Sequence, residues 1–194
     1  PILSGDFPAV IWSTSLVHSG AVDPEDTCVL MRYVGLSYGG VLIEGEDIGW
    51  DHKEDEFYRY VCRAKWITGN TMNRDLIVAC PNHPIARSLP QHFALTKLPP
   101  CPDGVAPANG GVSIVNYSSG LSAIIAYNGS MHFSKVFDKT IYYNGKTVYI
   151  AFPMSYLPEE ICNQLLLDIV KWLLDASPPI TPPSATANIL QERE

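Results

Sequence analysis

The chain has 194 residues, enough for one domain with its own core, and 46% of them are hydrophobic, an ordinary globular value. Its formal charge is -7 with no run of Lys or Arg, and a negative field of that kind repels phosphate backbones, which argues against nucleic acid as a partner. No stretch is long and apolar enough to span a bilayer, so the sequence shows no transmembrane segment.

Charged residues make up only 17%, against about 25% in a typical domain. A surface that leans on Ser, Thr, Asn, Gly and Tyr points to an extracellular or cell-surface setting. The first residue is Pro1, with no charged-then-apolar signal pattern after it, which reads as a processed terminus or a fragment edge. The five cysteines fit no zinc ribbon and no CxxC motif. Cys28 and Cys162 fall within predicted helices and read as buried thiols. Cys80 and Cys101 bracket a loop-rich stretch and are a candidate disulfide. Asn116-Tyr117-Ser118 and Asn128-Gly129-Ser130 are glycan acceptors if the protein is secreted.

Ala9 to Ser13 (AVIWS) is a short apolar run suited to a buried strand. A helix start follows a loop. Asp23 is placed to cap, Pro24 suits the first helical position, and Glu25 and Asp26 suit the positive end of the dipole. Val29, Leu30, Tyr33 and Val34 supply the apolar face. Gly39-Gly40 permits a sharp return, and Val41 to Glu44 (VLIE) is the next strand. Strand, helix and strand in this order predict a βαβ unit and hence a parallel sheet.

Gly45-Glu46-Asp47-Ile48-Gly49 then falls at the carboxyl end of a strand, where open α/β sheets bind ligands. The pattern predicts a helix over Lys53 to Ala64, with Phe57, Tyr60 and Val61 inward, and a strand over Leu76 to Ala79. Residues 81 to 110 are rich in Pro and read as an extended surface connection. Val112 to Val115 and Ala123 to Tyr127 read as strands. Ile141 to Tyr143 and Thr147 to Phe152 flank Asn144-Gly145, a hairpin signal because both turn residues tolerate positive φ. A closing helix starts near Pro158, with Ile161, Leu165, Leu166, Ile169 and Leu173 at helical spacing. The fold class is therefore α/β: a mainly parallel sheet flanked by helices, with a C-terminal β-hairpin and a closing helix. Residues 1–176 form the domain. Residues 177–194, with Pro178, Pro179, Pro182 and Pro183 among Ser, Thr and Ala, have the composition of a linker or tail.

Several phrases, taken in order, resemble a known superfamily. Val10-Ile11-Trp12-Ser13, the acidic helix start and Gly39-Gly40-Val41-Leu42-Ile43 resemble the opening of class I glutamine-amidotransferase-like (flavodoxin-like) domains of secreted and surface microbial proteins. Glu44-Gly45-Glu46-Asp47-Ile48-Gly49 takes the place of their SGQDIG phrase. His83-Pro84-Ile85 with Ser88-Leu89-Pro90 is similar to a segment of the related trehalose-utilisation-type domains. Val148-Tyr149-Ile150-Ala151-Phe152-Pro153, with the amphipathic helix ending in Trp172-Leu173, resembles the family's close. The resemblance spans roughly residues 9 to 174.

Two departures follow from the resemblance. Catalytic members carry a cysteine in a GxCxG elbow after the strand matching Val41 to Glu44, and here Gly45-Glu46-Asp47 stands in its place. An elbow thiolate near a helix N-terminus is activated, whereas a carboxylate cannot form the thioester of glutaminase chemistry. Members also open with a further strand and helix before the IWST strand, and that first strand lies centrally in the sheet. The resemblance thus implies that the first βα unit is missing here. It also implies that an upstream segment of the same protein, or another chain, completes the sheet.

The acids Glu44, Glu46, Asp47, Asp51, Glu54, Asp55 and Glu56, with His52 among them, allow two readings. One is a cation site or a carboxylate acid/base pair at the ligand edge. The other is a solvated loop whose acids favour the next helix start. No EF-hand order and no HExxH spacing is present. The catalytic candidates are Glu46, Asp47 and His18. The cation candidates are Glu46, Asp47 and Asp51, whose oxygen ligands suit calcium, and no other cofactor is indicated. His83 next to Pro84 reads as a turn-fixing residue, and Trp50, Tyr58 and Tyr60 as a candidate sugar-stacking cluster. The function expected is a non-catalytic accessory, structural or interaction domain of a larger secreted or cell-surface protein, in a homo-oligomer or filament. The alternative is a hydrolase-like enzyme that uses Glu46/Asp47, with or without a metal, on a carbohydrate-like substrate.

Overall fold

The helix start read at Asp23 forms as expected. In the computed structural model, which describes residues 7–17, 19–36, 39–129, 132–136, 139–143 and 145–175, the Asp23 carboxylate accepts from the Asp26 amide at 2.8 Å. Helix α1 then runs over Pro24–Leu36 and buries Leu30, Tyr33 and Val34. It joins strand β1 (Ala9–Ser15) to β2 (Gly40–Gly45), and the two strands pair in parallel, as the βαβ pattern requires.

Beyond β2 come α2 (Ile48–His52), α3 (Glu56–Tyr60), β3 (Ala64–Thr68), β4 (Asp75–Val78), β5 (His92–Ala94), β6 (Gly104–Pro107), β7 (Val112–Tyr117) and β8 (Ser122–Tyr127). The chain then forms β9 (His132–Val136), β10 (Lys139–Tyr143), β11 (Thr147–Ile150) and α4 (Glu159–Leu174). The main sheet has the order β1-β2-β11-β8-β7-β4-β5, with β6 joined to β8 and β3 to β6. Strand β2 is parallel to both its neighbours, β1 and β11, and the remaining pairings of this sheet are antiparallel. The expectation of a mainly parallel sheet is therefore corrected to a mixed one. Parallel neighbours need a crossover, usually a helix, and between β3 and β11 no α-helix is present among the described residues, so those strands return antiparallel.

Alternation along the inner strands makes three layers. Leu42, Val148, Ile150, Ile124 and Ala126 face α4 with Leu165, Ile169 and Leu173. Val41, Ile43, Tyr149 and Ile125 face the opposite cluster, which holds Leu30, Tyr33 and Val34 of α1 and Phe57 of α3. Strands β2, β8 and β11 are buried along their whole length. Strands buried on both faces read as continuous apolar runs, which is why VLIE and VYI were legible.

Three further expectations are corrected. The helix over Lys53 to Ala64 is broken at Asp55, whose extended backbone caps α3 by accepting from the Tyr58 amide at 3.0 Å, and Ala64 already begins β3. The hairpin joining Ile141–Tyr143 to Thr147–Phe152 does not form. Strand β10 pairs with β9 in a separate two-stranded sheet, whereas β11 inserts between β2 and β8. All four β11 residues are buried, so that strand gains more inside the main sheet than in an exposed ribbon. Asn144 lies outside the described residues, as do residues 177–194. The Pro-rich stretch from 81 to 110 is not a plain connection, since it contains a 3-10 turn at Pro84–Ala86 and the strands β5 and β6.

The sheet has no central gap, because β2, β11, β8, β7 and β4 all have neighbours on both sides. At the β1 edge of the sheet Ile11 is 51% exposed.

Candidate functional site

The ligand edge of the sheet is built around the turn from β2 into α2. Gly45 sits at φ 151°, and a Cβ there would meet Thr14 Oγ1 at 1.8 Å, so only glycine fits. The Glu46 amide then donates to the Ser15 carbonyl at 3.1 Å, which ties the turn to β1. Asp47 follows with φ 56° and ψ 4°, a left-handed conformation uncommon outside glycine, at the N-cap of α2. Glu46 is fully buried and Asp47 is 8% exposed. The sharp strand-to-helix turn expected of an elbow is thus present, with a carboxylate at its strained position.

Glu44, one of the acids of this run, is structural. Its carboxylate accepts from the Ser13 hydroxyl and from the Met154 amide, the latter at 2.9 Å, and so joins β1 and β2 to the segment after β11.

Sequence reasoning missed two residues that come to this place from the loop before β6. Asp103 is fully buried and accepts from the Gly49 amide at 2.7 Å, from Trp66 Nε1 at 3.0 Å and from the Tyr149 hydroxyl at 3.4 Å. Burial pushes its carboxyl up to about 7, with the Asp47 charge adding to the rise and the three donors opposing it. A Cβ on Gly49 would meet Asp103 Oδ2 at 2.7 Å, so the close approach of helix and acid depends on that glycine. Cys101 is half-buried. Burial and then the carboxyls of Asp47, Glu46 and Asp103 hold its thiol above the usual value, the opposite of an activated nucleophile. Burial, Asp103 and Glu46 likewise raise Tyr117. Glu46, Asp47, Cys101 and Asp103 therefore share one electrostatic neighbourhood. In the sequence, Pro102-Asp103-Gly104 looks like an ordinary turn, and no local signal aims it at a residue as distant along the chain as Gly49.

The other candidates are dispersed. Asp51 accepts from the Gly20 amide at 2.7 Å. Among the described residues, no group of three or more His, Cys, Asp or Glu side chains is arranged to hold a metal ion, so Glu46, Asp47 and Asp51 do not form the cation site considered for calcium. His18 lies outside the described residues. His52 bonds Asp55 Oδ2 at 2.6 Å and the Val22 carbonyl at 2.9 Å. Both partners can act as acceptors, an arrangement that suits imidazolium. Burial lowers its pKa, but the Asp55 contacts outweigh that, and the net direction is up. His83 Nδ1 accepts from the Ile85 amide at 3.3 Å and fixes the turn into Pro84. Trp50, Tyr58 and Tyr60 do not make a stacking platform. Tyr58 is buried edge-to-face on Tyr149, while the 52%-exposed Trp50 meets Trp66 and carries Lys53 Nζ 3.5 Å from its ring centre.

The cysteines and sequons also depart from expectation. All five cysteines are free, Cys80 and Cys101 included, and Cys28 is exposed rather than buried. Asn116 lies within β7 with neighbours on β4 and β8, is half-buried, and accepts from the Ser113 hydroxyl, a poor place for a glycan. Asn128 is exposed after β8.

No family model matches the chain, and no curated protein does. Among solved structures, a cytoplasmic protein of Salmonella typhimurium aligns with a TM-score of 0.58 at 9% identity, covering 89% of this chain and 74% of its own. A second cytoplasmic protein, from Salmonella typhimurium LT2, gives 0.54 at 12% identity over 87% of this chain and 70% of its own. A ThuA-like protein from Bacteroides uniformis gives 0.51 at 13% identity over 89% of this chain and 74% of its own. The description of both Salmonella proteins as cytoplasmic overturns the extracellular or cell-surface setting read from composition. At these identities the likeness is one of architecture, and the chain has a ThuA-like α/β fold.

Proposed function

We propose that this chain is a non-catalytic interaction domain on a glutamine-amidotransferase-like scaffold that has lost its nucleophilic cysteine. In this reading it contributes packing and assembly contacts within a larger protein or complex. The observation that carries the reading is Asp47. It occupies the strained elbow position, at φ 56°, where acyl transfer through a thioester needs a thiol. The nearby thiol, Cys101, is kept protonated by burial and by the surrounding carboxyls. The test is turnover of p-nitrophenyl esters, anilides and free glutamine by the wild type and by Asp47→Ala. Neither protein is expected to exceed the buffer rate. Turnover that the wild type shows and Asp47→Ala loses would sink the reading.

One observation favours the alternative of a hydrolase-like enzyme using the acidic turn. Asp103, with a pKa of about 7, lies near Asp47. A carboxyl that keeps its proton near neutral pH is in the form a general acid needs. The substrate of this alternative is carbohydrate-like, and p-nitrophenyl glycosides, with and without calcium, belong in the same panel.

A further inference from the structure

Among the described residues β1 pairs only with β2, so the outward main-chain groups of β1 have no ladder. Ala9–Ser15 reads AVIWSTS, with no charge and no proline, and its register irregularity comes only between Ser13 and Ser15. It therefore lacks the lysines, prolines and short length with which edge strands usually avoid pairing. The opposite edge, β5, has only three residues and begins at an exposed histidine. Around β1 the large exposed side chains are apolar, Phe7 at 48%, Ile11 at 51%, Leu16 at 41% and Val17 at 44%, with the small Ser13 and Ser15 exposed between them.

The flank beside this edge matches it. Ala9 packs on the α4 cluster, while Val10 and Trp12 pack on the α1 cluster, so alternation puts Ile11 on the α4 side. Helix α4 touches β1, and its Asp168 bonds Ser88. Helical spacing puts Asn163, Leu166 and Val170 on the flank opposite Asp168, next to the 47%-exposed Leu167. Glu159, in the first turn of α4, is the charged residue on that flank, and β1 itself has none. A chain of net charge -7 repels its own copy least where the contact is neutral. A neutral, apolar strand of this kind is complementary to itself.

We propose that β1 is the pairing edge for a second copy of this chain. The two β1 strands run antiparallel across a two-fold axis, so that one sheet passes through the dimer and the α4 flanks meet beside it. This rests on the interaction-domain reading and names its partner.

Sedimentation of the full chain from micromolar to submillimolar concentration is expected to show a monomer–dimer equilibrium. Hydrogen exchange is expected to show amide protection in Ala9–Ser13 that rises with concentration. Ile11→Arg places the same charge twice in the interface and is expected to weaken the dimer roughly a hundredfold, with an unchanged circular dichroism spectrum. Leu167→Glu is the second variant, because it leaves the strand intact. A monomer at every concentration overturns the proposal, and so does a dimer that survives both substitutions or shows no added protection in β1. A monomer without hydrolytic turnover would leave the interaction-domain reading standing with a different partner. Turnover lost in Asp47→Ala would end that reading whatever the sedimentation shows.

Discussion

Asp103 is a carboxyl group surrounded by three donors in a site closed to water. Its folded-state value of about 7 lies above the ordinary 3.8. Across that window the folded chain keeps a proton that the unfolded chain has lost, so stability falls as pH rises from about 4 to 7 and levels off above it. A difference of this size corresponds to about 4 kcal/mol. Asp103→Asn keeps an oxygen for the Gly49 amide and carries no charge. Urea unfolding of this variant is expected to show a flattened pH profile and a gain of about 1–3 kcal/mol at pH 8. A wild-type slope in the variant would mean that another group titrates. At this scale the sequence was half legible. An acidic phrase between glycines at the carboxyl end of a strand falls where open α/β sheets bind ligands, so Glu46 and Asp47 were singled out. Asp103 was not, because its meaning comes from Gly49, Trp66 and Tyr149, which only the folded chain brings to it.

At the scale of elements, the break between α2 and α3 depends on Asp55. Its carboxylate caps α3 through the Tyr58 amide and also holds His52. His52 has a raised pKa, so the stability it adds is present below its ordinary value of about 6.5 and is lost as pH rises through the raised one. Asp55→Ala should cost about 1–2 kcal/mol near pH 6 by thermal unfolding. The deficit should shrink at alkaline pH to the share of the cap alone, and a deficit constant with pH would assign the whole effect to the cap. The apolar period over Phe57, Tyr60 and Val61 suggested one helix from Lys53, and Phe57 and Val61 are indeed buried. The aspartate that interrupts the helix was read only as an acid near a helix start. Strands buried on both faces were the most legible elements, because their apolar runs need no context. The hairpin at Asn144-Gly145 was misread because turn chemistry identifies a turn without saying which strands it joins, and the burial of β11 on both faces decided the pairing.

For the whole molecule, five free thiols are expected. Titration with a chromogenic disulfide should give one fast equivalent from the exposed Cys28 in the native state and five in denaturant, and a smaller final count would reveal a disulfide. Cys62, fully enclosed, should react only after unfolding. The topology has a further effect on how the molecule is made. Strand β11 is late in the sequence yet lies in the middle of the sheet, where Thr147 pairs with Val41 on one side and Tyr127 on the other. During synthesis, β1, β2, β7 and β8 all leave the ribosome before the strand that joins the two halves. Until then both halves expose open sheet edges, and neither can close its core. Folding of this domain is therefore set to wait for the synthesis of β11, and the nascent chain is the form in which it most needs chaperone cover.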